Sequence, residues 1–204
     1  MTVRVSADGN MSRLKLQALD VQLPGAFTLK VKGEAWNVTD MEKLRGNIQI
    51  NGNTQNIDFI KALAGPGGMQ GIALPPITLN GKVGINGPQY QADLQLREGR
   101  GHVQMKGSFH QKQMSYRADL KVQNLNLTHF LPQDSLYHLS ASAHIRGRGT
   151  DPLSRYTSLD GQLSLDSLEY GKLHVSGIEL NTSLQKGEAI ATLNGATPLF
   201  KINT

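Results

Sequence analysis

Residues 145–153, IRGRGTDPL, place two arginines and two glycines directly before Thr-Asp-Pro. Arginine and glycine at such spacing could cradle a phosphate or bind RNA. A phosphate loop also needs a Lys-Ser or Lys-Thr pair and a following helix, and RGG-type RNA binding uses many copies. This segment has neither, and it stands between two alternating runs. It is therefore predicted to be a turn, in which Asp151-Pro152 and the glycines redirect the chain.

The other residues that could do chemistry are histidines and carboxylates. The histidines show neither the i, i+4 spacing of a metalloprotease helix nor an H-x-H pair; they are His102, His110, His129, His138, His144 and His174. Asp160, Asp166 and Glu169 could supply a glycosidase carboxylate pair, but each alternates with apolar neighbours as on the wet face of a sheet. We find no G-x-S-x-G turn. The sequence thus predicts a non-enzymatic protein without catalytic residues, metal or cofactor.

Composition narrows the function classes further. The chain has 204 residues and no cysteine, which excludes disulfides and thiolate chemistry. Its net charge of +5 permits contact with acidic lipid headgroups, but the charges are too dispersed along the sequence to indicate a nucleic-acid partner. Hydrophobic residues make up only 38% and charged residues 18%, while Gly, Asn, Gln, Ser and Thr are abundant. This balance favours many short strands joined by turns.

Apolar and polar residues alternate along most of the chain, which is the pattern of strands with one dry and one wet face. The clearest runs are 27–31, 77–85, 90–96, 114–123, 139–145, 159–165 and 189–193. Glycine-containing dipeptides predict turns, among them Asn51-Gly52, Asn86-Gly87, Glu98-Gly99, Lys186-Gly187 and Asn194-Gly195. Because these connections are short, we predict an all-β fold built as an antiparallel meander. Short helices are expected only near 40–45, 57–64 and 127–131.

We predict one continuous β-rich segment, 1–204. A weak echo between NIDFI (56–60) and NLTHFL (126–131) suggests repeat units of about 1–70, 71–135 and 136–204. The alternation begins and stops at the chain ends, and no run reaches the ~18 apolar residues of a membrane-spanning helix. The chain is therefore expected to be an internal piece of a longer protein.

The second half resembles a known family. Residues 117–195 carry NLNLTHFLP, GRGTDP, LDGQLSLDSLEYG and LHVSGIELNTSL in succession. These phrases resemble the middle of TamB-type proteins of the AsmA-like superfamily, as found in Bacteroidetes. The resemblance implies a long sheet curled into a U-shaped β-trough, in a translocation and assembly module anchored in the inner membrane and crossing the periplasm.

The resemblance also implies a function in outer-membrane biogenesis. Such proteins are associated with phospholipid transfer along the trough, and with protein secretion and outer-membrane assembly through a partner of the BamA/TamA type at the distal end. This chain would then be a periplasmic segment whose partners are phospholipid acyl chains, without its own anchor.

The apolar phase of consecutive strands supplies the residues expected to line a lipid groove. They are Leu94, Leu96, Val103, Met105, Leu120, Val122, Ala143, Ile145, Leu163, Leu165, Leu173 and Val175. The same pattern, rich in small residues, would also suit a structural or adhesive β-sandwich or β-solenoid with a dry core. A β-rich carbohydrate-active enzyme is a third alternative. The sequence leaves trough and sandwich open, because alternation specifies a dry face but not what covers it.

Overall fold

The computed structural model describes residues 1–55, 75–131, 134–151, 153–196 and 201–203. The described residues are nearly all β, with 73% strand and 2% helix. The strands are β1 Thr2–Gly9, β2 Arg13–Leu23, β3 Phe27–Trp36, β4 Arg45–Thr54, β5 Ile77–Asn86, β6 Gln89–Glu98, β7 Gly101–His110, β8 Ser115–Asn126, β9 Leu136–Arg148, β10 Ser158–Tyr170, β11 Leu173–Val175, β12 Ile178–Gln185, β13 Glu188–Ala196 and β14 Lys201–Asn203.

All 14 strands belong to one sheet, whose order follows the sequence. Each strand pairs antiparallel with the next, from β1 to β10 and then through β12 and β13 to β14. The three-residue β11 lies off this path and pairs with the far end of β10. The predicted antiparallel meander is confirmed.

The sheet is a single layer and is not closed. Within the described ranges, the extensive strand contacts are all between neighbours in the sheet. A β-sandwich would need a second facing layer, and a solenoid would stack its strands in parallel coils. Both alternatives are therefore wrong for the described part of the chain.

Bulges bend this layer along its length. Register shifts occur between β1 and β2, β2 and β3, β8 and β9, and β9 and β10. Each bulge bends its strand and increases the local right-handed twist, which adds to the twist between all neighbouring strands. The result is a curled, open trough.

A single layer leaves little room for a conventional core. Val122 on β8 is the one large apolar side chain that is buried among the described residues, at 8% exposure. The other apolar side chains on the strands are half-buried or exposed. The sheet is consequently held together by backbone ladders and cross-strand side-chain pairs more than by a central core.

Three of the predicted turns are confirmed, because each of these dipeptides lies at the junction between two consecutive strands. Asn86-Gly87, Glu98-Gly99 and Lys186-Gly187 connect consecutive strands, and Gly87 and Gly99 adopt φ of 54° and 53°. Asn51-Gly52 and Asn194-Gly195 were wrong, because they lie inside β4 and β13 with partners on both sides. A local turn signal was overridden there by pairing with two neighbours.

The helix predictions had mixed outcomes. Segment 40–45 is not helical: the Asp40 side chain accepts hydrogen bonds from the backbone N–H groups of Glu42 (3.1 Å) and Lys43 (3.3 Å), which forms a tight turn. A 3-10 helix at Leu127–His129 confirms the third prediction. Segment 57–64 lies outside the described residues. No helix in the described ranges has the length and apolar character needed to cross a membrane.

Candidate functional site

The arginine–glycine segment contains the predicted turn, but the turn begins only at Gly149, because Arg146 to Arg148 continue β9 and pair with β8 and β10. Arg146 and Arg148 end β9, Gly149 adopts φ of 76°, and a connection without a helix leads to β10. Asp151 Oδ1 accepts a hydrogen bond from the Leu153 N–H at 3.0 Å, which tightens the turn. The Arg146 Nε donates to Asp160 Oδ2 at 3.2 Å. This geometry provides no ring of backbone N–H groups for a phosphate.

Three of the six histidines form pairs with carboxylates. The pairs are His129 Nδ1 with Glu98 Oε1 (2.7 Å), His138 Nδ1 with Glu169 Oε2 (2.9 Å) and His144 Nδ1 with Asp119 Oδ1. The His144 hydrogen bond, helped by Arg117, lowers the pKa of Asp119. In the described part of the chain, no three His, Cys, Asp or Glu side chains group so as to hold a metal. These pairs link neighbouring segments of the sheet.

The most extensive feature of the sheet is its apolar face, which the strand register assembles row by row. Directly opposed residues in antiparallel strands share a face. The central row runs across β1–β10, β12 and β13 and contains only apolar residues and one glycine: Val5, Leu19, Val31, Ile50, Gly81, Leu94, Met105, Leu120, Ala143, Leu163, Leu180 and Leu193.

A second row lies two residues away from the central row on each strand, and it also consists of apolar residues and glycine. Its members are Val3, Val21, Leu29, Gly52, Leu79, Leu96, Val103, Val122, Ala141, Leu165, Ile178 and Gly195. A Cβ built on Gly52 would meet Leu79 Cβ at 3.6 Å and Leu29 Cδ1 at 3.7 Å, so these three positions do lie on one face. Together the two rows form an apolar band across the sheet.

Smaller and aromatic residues border this band on one side. The third row mixes small residues such as Gly107 and Ala118 with branched aliphatic residues such as Ile48, Val83 and Ile145. The fourth row contains Tyr90 and Phe109, whose ring centroids are 6.3 Å apart, and Tyr116 opposite Phe109. The apolar face therefore continues beyond the band through a row of small and branched aliphatic residues to a row that contains aromatic rings.

Nothing in the described part of the protein covers the apolar band. Leu163 is 44% exposed and Leu120 is 38% exposed, although both lie at the middle of their strands. Met105 and Ile145 are similarly exposed. An exposed apolar surface that spans so many strands is unusual for a soluble monomer and typically marks a contact site for lipid or another apolar partner.

The register places most of the predicted groove residues in this band. The central row contains Leu94, Met105, Leu120, Ala143 and Leu163, and the second row contains Leu96, Val103, Val122 and Leu165. Ile145 falls in the third row. Leu173 and Val175 lie apart on β11, opposite Tyr170 and Leu168.

The prediction also missed residues of the same rows. Among them are Val31, Ile50, Leu79, Leu180 and Leu193, which alternate with polar residues like the residues that were chosen. Their alternation was visible in the sequence. Their position in line with Leu94 and Leu163 depended on the register, which the sequence does not specify.

The opposite face of the sheet is polar, and charged side chains on it pair with one another. One of its rows alternates in charge: Lys82, Asp93, Lys106, Asp119 and His144. Lys106 Nζ lies 3.8 Å from Asp93 Oδ2. A shallow depression of about 640 Å³ lies along this row, lined by long polar side chains. The sheet thus separates a charged, hydrated face from the apolar band.

A buried carboxylate fixes one end of the apolar face. Glu98, at 2% exposure, is in phase with Leu94 and Leu96 on β6. Its carboxylate pairs with the His129 ring and accepts the Asn126 N–H at 3.4 Å. A buried carboxylate of this kind requires such partners. The pair therefore fastens the 3-10 helix over the end of β6.

No protein-family model, curated protein or solved structure matches this chain. The resemblance to TamB-type proteins stays a prediction from the quoted phrases. The features that bear on function are therefore the apolar band and its exposure.

Proposed function

We propose that this chain is a non-enzymatic β-trough segment that holds phospholipid acyl chains on its apolar band. The observation that carries the proposal is the continuity of that band: two apolar rows cross the sheet from β1 to β13, and no second layer covers them in the part of the chain that the structure describes. A sheet of this kind gains free energy from any apolar partner that removes the band from water.

The magnitudes suit an acyl chain. The band crosses neighbouring strands that lie about 4.8 Å apart, so from β1 to β13 it runs for about 50 Å, which exceeds the length of a lipid tail. Each methylene removed from water contributes about 0.8 kcal/mol, so contact with about eight methylenes contributes roughly 6 kcal/mol. Because the rows continue from strand to strand, a tail could pass along the band without leaving apolar surroundings.

The resemblance to TamB-type proteins extends this proposal to a place in the cell. The chain would be a periplasmic portion of a protein anchored in the inner membrane of a Gram-negative envelope. It would take part in phospholipid transfer and outer-membrane biogenesis, with an assembly protein of the BamA/TamA type at the distal end of the full-length protein.

Site-specific photocrosslinking tests the lipid contact directly. A benzophenone amino acid at Leu163 should crosslink to phospholipid, because this position is exposed in the central row. The matched control is Gln162, the preceding residue on β10, which lies on the polar face opposite His144. Native mass spectrometry of the purified chain then identifies the lipid carried. Equal crosslinking at both positions, or none at Leu163, would refute the proposal.

A further inference from the structure

One long edge of the trough is formed by loops that are joined to one another. These are loops 10–12, 37–44, 87–88, 111–114, 149–151 with 153–157, and 186–187, and we call them the basic loop edge. Backbone hydrogen bonds link consecutive loops: Val38 N–H to Met11 O (3.1 Å), Gly87 N–H to Leu44 O (2.7 Å), Gln111 N–H to Pro88 O (2.8 Å) and Gly149 N–H to Met114 O (2.9 Å). The loops from 10–12 to 149–151 therefore form a continuous rim, and the turn at 186–187 lies at the same edge.

Large apolar side chains protrude from this rim. Leu153 and Tyr156, in the connection between β9 and β10, are 89% and 84% exposed. Met11, Met41 and Met114 are also exposed, each in a different loop. One such residue would be ordinary on a protein surface, but the recurrence of large apolar tips along a single edge is typical of a contact surface.

The same rim carries an excess of positive charge. Its cations and those of the adjoining strand ends are Arg13, Lys43, Arg45, Lys112, Arg148, Arg155 and Lys186, against the carboxylates Asp40, Glu42, Asp151 and Glu188. Three of these cations are already paired: Arg13 with Glu34 of β3 at 3.0 Å, Lys43 with Asp40 at 3.1 Å and Lys112 with Glu42 at 2.7 Å. Among the described residues, Arg45, Arg148 and Arg155 have no carboxylate within ion-pair distance, so their charge is available to an external anion.

The opposite edge of the trough differs. Its described cationic side chains are not in excess: Arg97, Arg100 and Lys172 stand against Glu98, Asp134, Glu169 and Glu179. The net positive charge of the chain is therefore distributed unequally between the two edges, which the sequence alone did not indicate.

We propose that the basic loop edge docks on the surface of an anionic phospholipid bilayer. Arg45, Arg148 and Arg155 face the lipid phosphates, while Leu153 and Tyr156 enter the headgroup region. Tyrosine suits this interface because it has an apolar ring and a polar end. Each cation near an anionic leaflet contributes about 1 kcal/mol, and exposed apolar tips add to that attraction. The inference goes beyond the acyl-chain function, because it concerns a whole bilayer and a different part of the protein.

Vesicle flotation tests the charge requirement. The chain should float with vesicles of phosphatidylcholine and phosphatidylglycerol, and high salt should release it. The double substitution Arg148→Gln and Arg155→Gln should lower the partition coefficient about 25-fold, which corresponds to about 1 kcal/mol for each arginine. The matched control, Arg100→Gln with Lys172→Gln on the opposite edge, should leave binding nearly unchanged.

Fluorescence tests the insertion of the rim. Trp36 is the single tryptophan, so Tyr156→Trp in a Trp36→Phe background reports on the loop alone. Its emission should shift to the blue with anionic vesicles and be quenched by lipids brominated near the headgroup. The control Leu131→Trp, an exposed residue at the other edge, should remain in water.

The outcomes separate this inference from the acyl-chain proposal. Equal flotation with pure phosphatidylcholine, no effect of the double arginine substitution, or equal loss in the control would overturn bilayer docking. Loss of salt-insensitive binding in Leu163→Asp, with the arginine variants unaffected, would likewise assign vesicle binding to the apolar band and overturn the rim. Intact anionic-vesicle docking without lipid crosslinking at Leu163 would instead overturn only the acyl-chain function.

Discussion

Replacing Leu163 by aspartate should remove lipid from the protein while leaving the sheet folded. Leu163 lies in the central apolar row between Ala143 and Leu180, and it is 44% exposed. In a trough open to solvent, the new carboxylate stays hydrated when no lipid is present. The direct cost to folding is then the change in strand preference, which is at most about 1 kcal/mol.

The effect on lipid binding should be larger. Full burial of a leucine is worth about 2–3 kcal/mol, and the exposed part of Leu163 makes about 1 kcal/mol of this available for contact with a tail. A carboxylate facing hydrocarbon costs about 2.5–3.5 kcal/mol at full depth, and roughly half of that where water still reaches it. The total of about 2–3 kcal/mol lowers lipid affinity roughly 30- to 150-fold.

The assay combines lipid transfer with thermal unfolding. Leu163→Asp should transfer little fluorescent phospholipid from donor vesicles, and its Tm should fall by about 2–4 °C, as expected for about 1 kcal/mol in a chain of this size. Gln162→Asp, on the opposite face of the same strand, should transfer lipid normally. It controls for the added charge and for strand preference.

A buried position in the same apolar band provides a comparison for the exposed Leu163. Val122, at 8% exposure, should not accept aspartate, because a carboxylate there has neither water nor a partner. Val122→Asp is expected to destabilise the sheet by about 3 kcal/mol or more. Equal destabilisation by Leu163→Asp and Val122→Asp would mean that the whole apolar band is covered, which would refute the open trough.

Three further predictions concern other parts of the sheet. His129→Ala should lower the free energy of unfolding by about 2 kcal/mol in chemical denaturation, because it leaves the buried Glu98 carboxylate without its ring partner. Asp119 contributes stability that is fully present above its ordinary pKa of 3.8 and is lost as the pH falls through its lowered folded value, so Asp119→Asn should flatten the acid limb of a pH–Tm curve. The double change Arg146→Ser and Arg148→Ser should cost less than about 1 kcal/mol, since the Arg146 ion pair is exposed, and circular dichroism should remain that of a β-sheet.

The sequence was informative wherever the signal is local. Alternation identified the strands, because a side-chain period of two follows from strand geometry alone. It failed at Asn51-Gly52, where the dipeptide favours a hairpin, but each residue pairs with β3 on one side and β5 on the other. It also failed at Asp40, whose side chain bonds to nearby backbone N–H groups and closes a turn in place of a helix.

The sequence by itself determined the fold class, the presence of a turn after Arg148 and the existence of a dry face on most strands. Tertiary structure alone decided what that face becomes. The alignment of Leu94 with Leu163 across four strand pairings is a matter of register, and the exposure of Met105, Leu120 and Leu163 depends on the absence of a second layer in the described residues. Likewise, the cations of the basic loop edge lie together because successive strands run in opposite directions, which brings every second loop to the same edge. Alternation determines only the face of the sheet toward which each side chain points. Whether that face is covered, and which residues align across the strands, depends on segments that are far apart in sequence.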